Sequence, residues 1–81
     1  MKATDLIKII KGAYDVVVHD VEDYQFKASA ETGDGTWLFD YWSENYESYD
    51  FGIHNDVNEL IQHHGYYVEW ENPGSVIITQ E

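Results

Sequence analysis

The residues from Tyr24 to Glu31 alternate between apolar and polar side chains without a break. A period of two indicates a β-strand with one buried face and one solvated face. The apolar positions are Tyr24, Phe26, Ala28 and Ala30. Gly33-Asp34-Gly35 follows, and this Gly-rich tripeptide predicts a hairpin turn into a return strand. The chain is therefore expected to build an antiparallel sheet that buries one side.

A helix and a first strand are predicted before this hairpin. Thr4 is a suitable N-cap for a helix over residues 5 to 11, and Gly12 is a suitable stop. Tyr14 to His19 is rich in β-branched residues and predicts a strand. Val21 to Asp23 is predicted to turn the chain into the alternating segment.

A second helix is predicted in the C-terminal half. Asn55 or Asp56 begins it, and the spacing from Asp56 to Glu59 suits a capping box. Gly65 is the expected C-terminal stop. The apolar side of this helix carries Val57, Leu60, Ile61 and His64, at helical spacing.

The chain ends in a predicted hairpin. Residues 66–71 and 76–80 are β-type runs, and Pro73-Gly74 between them suits a type II turn. These elements predict one α+β domain over residues 1–81, with a mostly antiparallel sheet, two short helices and the order α-β-β-β(-β)-α-β-β. With 81 residues and no cysteine, the chain has room for one core and no disulfide.

The segment FDYWSENYESYDFG, residues 39–52, has two interpretations. As a helix it places Phe39, Trp42, Tyr46 and Tyr49 opposite Asp40, Glu44 and Glu47. As strands, residues 36–42 end at Ser43 to Asn45, and Tyr49, Phe51 and Ile53 alternate on a further strand. The many Tyr, Trp, Asp, Asn and Ser residues favour the strands, because they are mediocre helix formers. A helical turn over residues 44–48 is the alternative.

Charge is the strongest global signal. Sixteen acids and four lysines give a net charge of −12, and residues 28–81 contain no Lys or Arg against eleven acids. The lysines are Lys2, Lys8, Lys11 and Lys27. A net charge this large destabilises the compact state through self-repulsion. Direct binding to nucleic acid or anionic lipid requires basic residues, so the charge argues against both ligands.

Neither a metal site nor an active site is indicated. The acids lack the spacing of a calcium loop, and His63 and His64 are neighbours that point to different sides of a helix. No nucleophile elbow, phosphate-binding glycine loop or His-Glu metal motif is present. We therefore expect a non-enzymatic protein without metal or cofactor. The start MKATDLIKII predicts neither a signal peptide nor a membrane span, which indicates a cytoplasmic protein.

An acidic surface with aromatic anchors remains as the candidate site for a protein partner. Acids two apart on a strand lie about 6.6 to 7 Å apart, close to the scale of backbone phosphates. Interface hot spots are enriched in Trp and Tyr. The predicted protein-binding residues are Asp34, Asp40, Trp42, Glu44, Tyr46, Glu47, Tyr49 and Asp50, with Glu69 and Glu71 as a second location.

The opening ATDLIKIIKGAYDVVVHD resembles the start of small phage-encoded anti-CRISPR proteins that block Cas9. Those proteins begin with a short Asp-Leu-Ile-type helix, followed by a three-stranded antiparallel sheet and a helix. The resemblance implies an acidic mimic of DNA that occupies the groove where the effector reads its target-adjacent motif. It covers about the first twenty residues and the element order. Residues 66–80 depart from it, because they predict a hairpin where those inhibitors continue with helix.

The resulting hypothesis is a non-enzymatic inhibitor of a CRISPR-Cas effector, a monomer or weak dimer in the cytoplasm of an infected bacterial host. Its partner would be a basic nucleic-acid-binding protein. One alternative is an immunity-type inhibitor of a toxin or host nuclease. Another is a small acidic structural protein of a phage or halophile, in which the acids serve solubility.

Overall fold

The computed structural model describes residues 1–30, 33, 49–50 and 53–81, with only the backbone at residues 49 and 50. The elements are α1 (Ala3–Ala13), β1 (Val18–His19), β2 (Gln25–Ser29), β3 (Tyr49–Asp50), β4 (Ile53–His54), α2 (Asn55–His63), β5 (Tyr66–Asn72) and β6 (Ser75–Gln80). One antiparallel sheet has the strand order β1-β2-β6-β5, and β3 and β4 form a separate pair. The predicted α+β class is confirmed, and the element order follows the prediction in outline.

Both helices and one side of the larger sheet share a hydrophobic core. The buried side chains include Leu6 and Ile10 of α1, Val57 and Ile61 of α2, and Phe26, Ala28, Tyr66, Val76 and Ile78 of the sheet. In β2 the buried positions alternate with half-buried Gln25, Lys27 and Ser29 on the opposite side. The period of two in the sequence therefore decides which side of the sheet meets the helices.

The first helix differs from the prediction at both ends. It begins at Ala3, and its N-cap Lys2 makes no side-chain capping bond, so Thr4 lies inside the helix. The carbonyl of Asp23 accepts a hydrogen bond from the Ala3 N–H at 2.7 Å. This tertiary contact satisfies one of the backbone N–H groups that a helix N-terminus leaves without an intrahelical partner. At the other end, the helix continues through Gly12 to Ala13, so Gly12 is not its stop.

The second helix begins at Asn55 and stops at Gly65 as predicted, but its N-terminal capping differs from the prediction. Gly65 has a φ of 79°, the left-handed conformation that glycine adopts at a helix C-terminus, and its N–H donates to the carbonyl of Gln62. The N-cap is His54, without a side-chain capping bond. The predicted capping box is therefore wrong, and Asp56 instead lies in the first turn, where the helix dipole favours an acid.

Two predicted strands are shorter or divided. Of the run from Tyr14 to His19, Val18–His19 forms the strand β1, and the carbonyl of Val17 also accepts a hydrogen bond from the Ser29 N–H of β2 at 2.9 Å. Tyr49 pairs with His54 and Asp50 with Ile53 in an antiparallel arrangement, so Tyr49 and Ile53 do not share one continuous strand.

Three predictions lie outside the described residues. They are the return strand, the choice between helix and strands at residues 39–48, and the part of the first hairpin formed by Asp34-Gly35. The predicted turn after β1 is confirmed, since the Glu22 N–H donates to the carbonyl of Gln25 at 2.7 Å.

The C-terminal hairpin is present, but its turn is not type II. Type II requires a positive φ at Gly74, and among the described residues Gly65 is the glycine with a positive φ. Instead, the side-chain oxygen of Asn72 accepts a hydrogen bond from the Gly74 N–H at 2.9 Å. The register also shifts between Trp70 and Asn72, which is the signature of a β-bulge. The turn is therefore fixed by Asn72 and the bulge.

The buried Tyr66 connects the sheet to the start of the chain. Its side chain is 0% exposed, and its hydroxyl donates to the carbonyl of Met1 at 2.7 Å. Burial raises the pKa of Tyr66 above its ordinary value.

Neither helix of the described residues is long and apolar enough to cross a membrane.

The packing of α2 gives a matched test. Ile61→Ala removes a side chain that is 0% exposed and should cost about 2–5 kcal/mol of unfolding free energy. Leu60→Ala, on the same helix but at a partly buried position, should cost less. Urea unfolding followed by circular dichroism measures both. If Ile61→Ala does not fold, Ile61→Val should still cost about 0.5–1.5 kcal/mol. An equal or larger loss at Leu60 would contradict the assigned buried side of α2.

Candidate functional site: the acidic surface

Most of the predicted site falls outside the described side chains. Asp34, Asp40, Trp42, Glu44, Tyr46 and Glu47 lie outside the described residues, and Tyr49 and Asp50 are described only through the backbone of β3. Their proposed role therefore stays a prediction. Of the predicted residues, Glu69 and Glu71 on β5 have described side chains, and both are exposed.

The sheet register places Glu69 on the solvent side. His19, Lys27, Ile77 and Glu69 are successive partners across β1, β2, β6 and β5, so their side chains share one side of the sheet. The Glu71 carboxylate reaches Lys27 on that same side, although the bulge interrupts the strand next to it. The two glutamates of β5 therefore lie on the side opposite the core.

The ten acids whose side chains the structure describes are all exposed. Seven of them fall into three acidic groups. The turn group, between β1 and β2, is Asp20, Glu22 and Asp23; the helix group is Asp56 and Glu59; and the strand group is Glu69 and Glu71. The remaining three are Asp5, Asp15 and Glu81. The fold thus places carboxylates in contact with water and with any partner that approaches.

Lys27 compensates part of this charge. Its ammonium lies 2.7 Å from Glu71 and 3.6 Å from Asp20, which connects the turn group to the strand group across β6. Within the described residues, these are the ion pairs that the structure contains. Asp20 has a positive φ of 49°, a conformation that Asp adopts more readily than most residues. The outer side of the sheet therefore has one basic residue between two acids.

The ion pair shifts the pKa values of both partners. The hydrogen bond to Glu71 raises the pKa of Lys27, and the charges of Glu71 and Asp20 add to the rise, while partial burial opposes it. The same hydrogen bond lowers the pKa of Glu71. Both groups are thus held in their charged forms at neutral pH, as expected for a hydrogen-bonded pair.

The described acids are dispersed over the surface and solvated. Across residues 1–30 and 53–81, no three His, Asp or Glu side chains come together as a set that could hold a metal ion. The described acids are exposed, and a desolvated environment that would tune one of them for acid–base catalysis is therefore missing at these positions. A dispersed set of solvated carboxylates is suited to attracting a basic partner and orienting its approach.

No protein-family model, curated protein or solved structure matches the chain. The resemblance of the first twenty residues to anti-CRISPR proteins is therefore neither supported nor opposed by these comparisons.

Sequence reasoning missed the role of Lys27. It assigned this residue to the polar side of a strand, but its partner Glu71 lies 44 positions away. An available signal was that Lys27 is the last base in the chain and is placed mid-strand. A lysine in such a position is expected to find a carboxylate on a neighbouring strand, although the sequence does not tell which one.

Removing Lys27 should lower the thermal stability more than removing its partner Glu71. Lys27→Gln changes the net charge from −12 to −13 and leaves Asp20 and Glu71 without their shared cation. Glu71→Gln changes it to −11, and Lys27 keeps Asp20. We expect Lys27→Gln to lower the thermal midpoint more at low salt. The difference should shrink at 1 M salt, where the screening length is about 3 Å. Equal midpoints at low salt would contradict this role of Lys27.

The pH dependence of this difference has a defined sign. The lowered pKa of Glu71 contributes stability above the ordinary glutamate value of 4.5, and this contribution is lost as the pH falls through the folded-state pKa. The raised pKa of Lys27 contributes below 10.5, and this is lost as the pH rises through its folded-state value. Wild type and Lys27→Gln should differ most between these limits and converge outside them, as measured by chemical unfolding at each pH. A difference that grows below pH 4.5 would contradict the assignment.

Proposed function

We propose that this protein is a non-enzymatic inhibitor that binds the basic nucleic-acid groove of a CRISPR-Cas effector and so blocks target DNA binding. Its carboxylates would take the positions of backbone phosphates. The observation that carries the proposal is the distribution of charge: all ten described acids are exposed, while residues 28–81 contain no base. The choice of a CRISPR effector among basic partners rests on the resemblance of the first twenty residues.

The described acids have spacings that suit phosphate-binding side chains. Asp56 and Glu59 are three residues apart on α2, so their Cβ atoms lie about 5–6 Å from each other. Glu69 and Glu71 are two positions apart on β5, but the bulge between Trp70 and Asn72 interrupts the extended geometry there. A DNA strand carries one charge per about 3.4 Å of axis. Long Lys and Arg side chains that contact phosphates a few ångströms apart would also span the carboxylates of Asp56 and Glu59.

Solubility alone is a weaker explanation of the charge. A soluble surface normally mixes both signs, because a large net charge destabilises the compact state. Here the fold accepts a net charge of −12 on 81 residues. A negative field of this strength increases the association rate with a basic groove and makes the binding sensitive to salt. Competition with DNA benefits directly from both properties.

A competition assay tests the proposal. Guide-loaded effectors are incubated with the protein and then with labelled target DNA, and the bound fraction is read by gel shift. We expect inhibition that weakens as salt rises. Saturating protein that leaves a panel of effectors and nucleases bound to DNA would contradict the proposal. Inhibition of a toxin nuclease but of no effector would favour the immunity-type alternative instead.

Charge-reversal variants locate the surface. One variant pools Asp40→Lys, Glu44→Lys, Glu47→Lys and Asp50→Lys. Three more reverse the described groups: Glu22→Lys with Asp23→Lys, Asp56→Lys with Glu59→Lys, and Glu69→Lys alone, which leaves the ion pair of Glu71 intact. We expect the first variant to abolish inhibition while the circular dichroism spectrum is kept. Unchanged inhibition there, with a loss in Glu69→Lys, would move the site to β5.

A further inference from the structure

A groove lies between α1 and the strand and turn that follow it. It has a volume of about 620 Å³, and its apolar lining comes from Ile7, Val18 and Val21. Val21 is 45% exposed at the groove, and Ile7 is buried and closes the groove toward the core. The groove is shallow and largely open to solvent, so a ligand would lie along it rather than inside a closed cavity.

Two lysines also line this groove. Lys8 and Lys11 are one helical turn apart on α1, and both are exposed. The ion pairs of the described residues belong to Lys27, so neither Lys8 nor Lys11 is neutralised by a described carboxylate. The chain has four lysines in all, and two of them lie at its exposed apolar groove. Thr4 adds a hydroxyl to the same lining.

We infer that this groove binds a small anionic amphiphile, a single-chain carboxylate of the fatty-acid type. The carboxylate would lie between the ammonium groups of Lys8 and Lys11, and the alkyl chain would cover Ile7, Val18 and Val21. Thr4 to Lys11 spans seven residues of helix, which is about 10 Å. This length matches a medium alkyl chain, and such a chain would cover the exposed Val21 and remove it from water.

The net charge favours a small ligand over an acidic macromolecule. An acidic protein segment would have to approach a molecule of charge −12 with several carboxylates of its own. Asp20 and Glu22 flank Val21 in the chain and are exposed, so they would repel such a partner at the rim. A ligand with a single negative charge is repelled less by the net charge of the protein than a segment with several carboxylates, and it is attracted by two nearby lysines.

Binding of sodium dodecanoate tests the inference. The full chain is titrated below the micellar concentration, and backbone amide shifts are followed by NMR. We expect saturable shifts at the groove residues, and much weaker binding of dodecyltrimethylammonium, which has the opposite charge. Equal binding of the two probes, shifts that map elsewhere or no saturable shift would each overturn the inference.

Matched variants separate the groove from general effects. Lys8→Gln with Lys11→Gln should weaken dodecanoate binding roughly tenfold, whereas Lys2→Gln, away from the groove, should leave it nearly unchanged. Val21→Ser should weaken it roughly fivefold. Val17→Ser is its control, since Val17 is 44% exposed but does not line the groove.

All five positions are exposed, so the variants are expected to fold, and the NMR spectrum of each verifies it. If the double lysine variant does not fold, Lys11→Gln alone should weaken binding more than Lys2→Gln. Equal effects of Val21→Ser and Val17→Ser would overturn the inference. So would tighter binding of a Glu-rich amphipathic peptide than of dodecanoate, because the groove would then belong to a macromolecular partner.

Discussion

The structure depends on a hydrophobic core that must hold together a chain with strong internal repulsion. Net charge −12 spreads over 81 residues, and every described acid is exposed. The opposing stabilisation comes from side chains that are almost entirely buried, such as Phe26, Tyr66 and Ile61. Because β6 lies between β2 and β5, the last strand of the chain closes the sheet around this core. Both ends of the chain are thereby fixed in one cluster, and the acids remain outside it.

The parts of the fold that the sequence predicts well are those set by local geometry. The period of two in β2 and the glycine at residue 65 encode local geometry, and both predictions are confirmed by the structure. The errors occur where a distant group replaces a local signal. The carbonyl of Asp23 takes the role expected of Thr4, and the side chain of Asn72 takes the role expected of a type II glycine. Such contacts form only after the chain has folded, so local propensity does not reveal them.

The candidate site is less predictable than the fold for a physical reason. Solvated acids make few contacts that fix their positions, so a sequence indicates how many exist but not which of them share a surface. Glu69 shows what can be predicted, since its strand and side follow from alternation. Glu71 shows what cannot, because a bulge and an ion pair with Lys27 determine its position. The register, rather than the composition, decides which acids remain available to a partner.

The lysines have two different kinds of position in the structure. Lys27 pairs with two carboxylates on the outer side of the sheet, and it reduces the repulsion between Asp20 and Glu71. Lys8 and Lys11 instead line an apolar groove on α1 and neutralise no described acid. If stability were the sole requirement, a chain with this excess of acids would gain more from placing each lysine beside a carboxylate. Lys11 also lies in the last turn of α1, where the helix dipole favours a cation, so the fold accounts for part of its placement. Together, Lys8 and Lys11 give the groove the positive charge that the proposed anionic ligand requires.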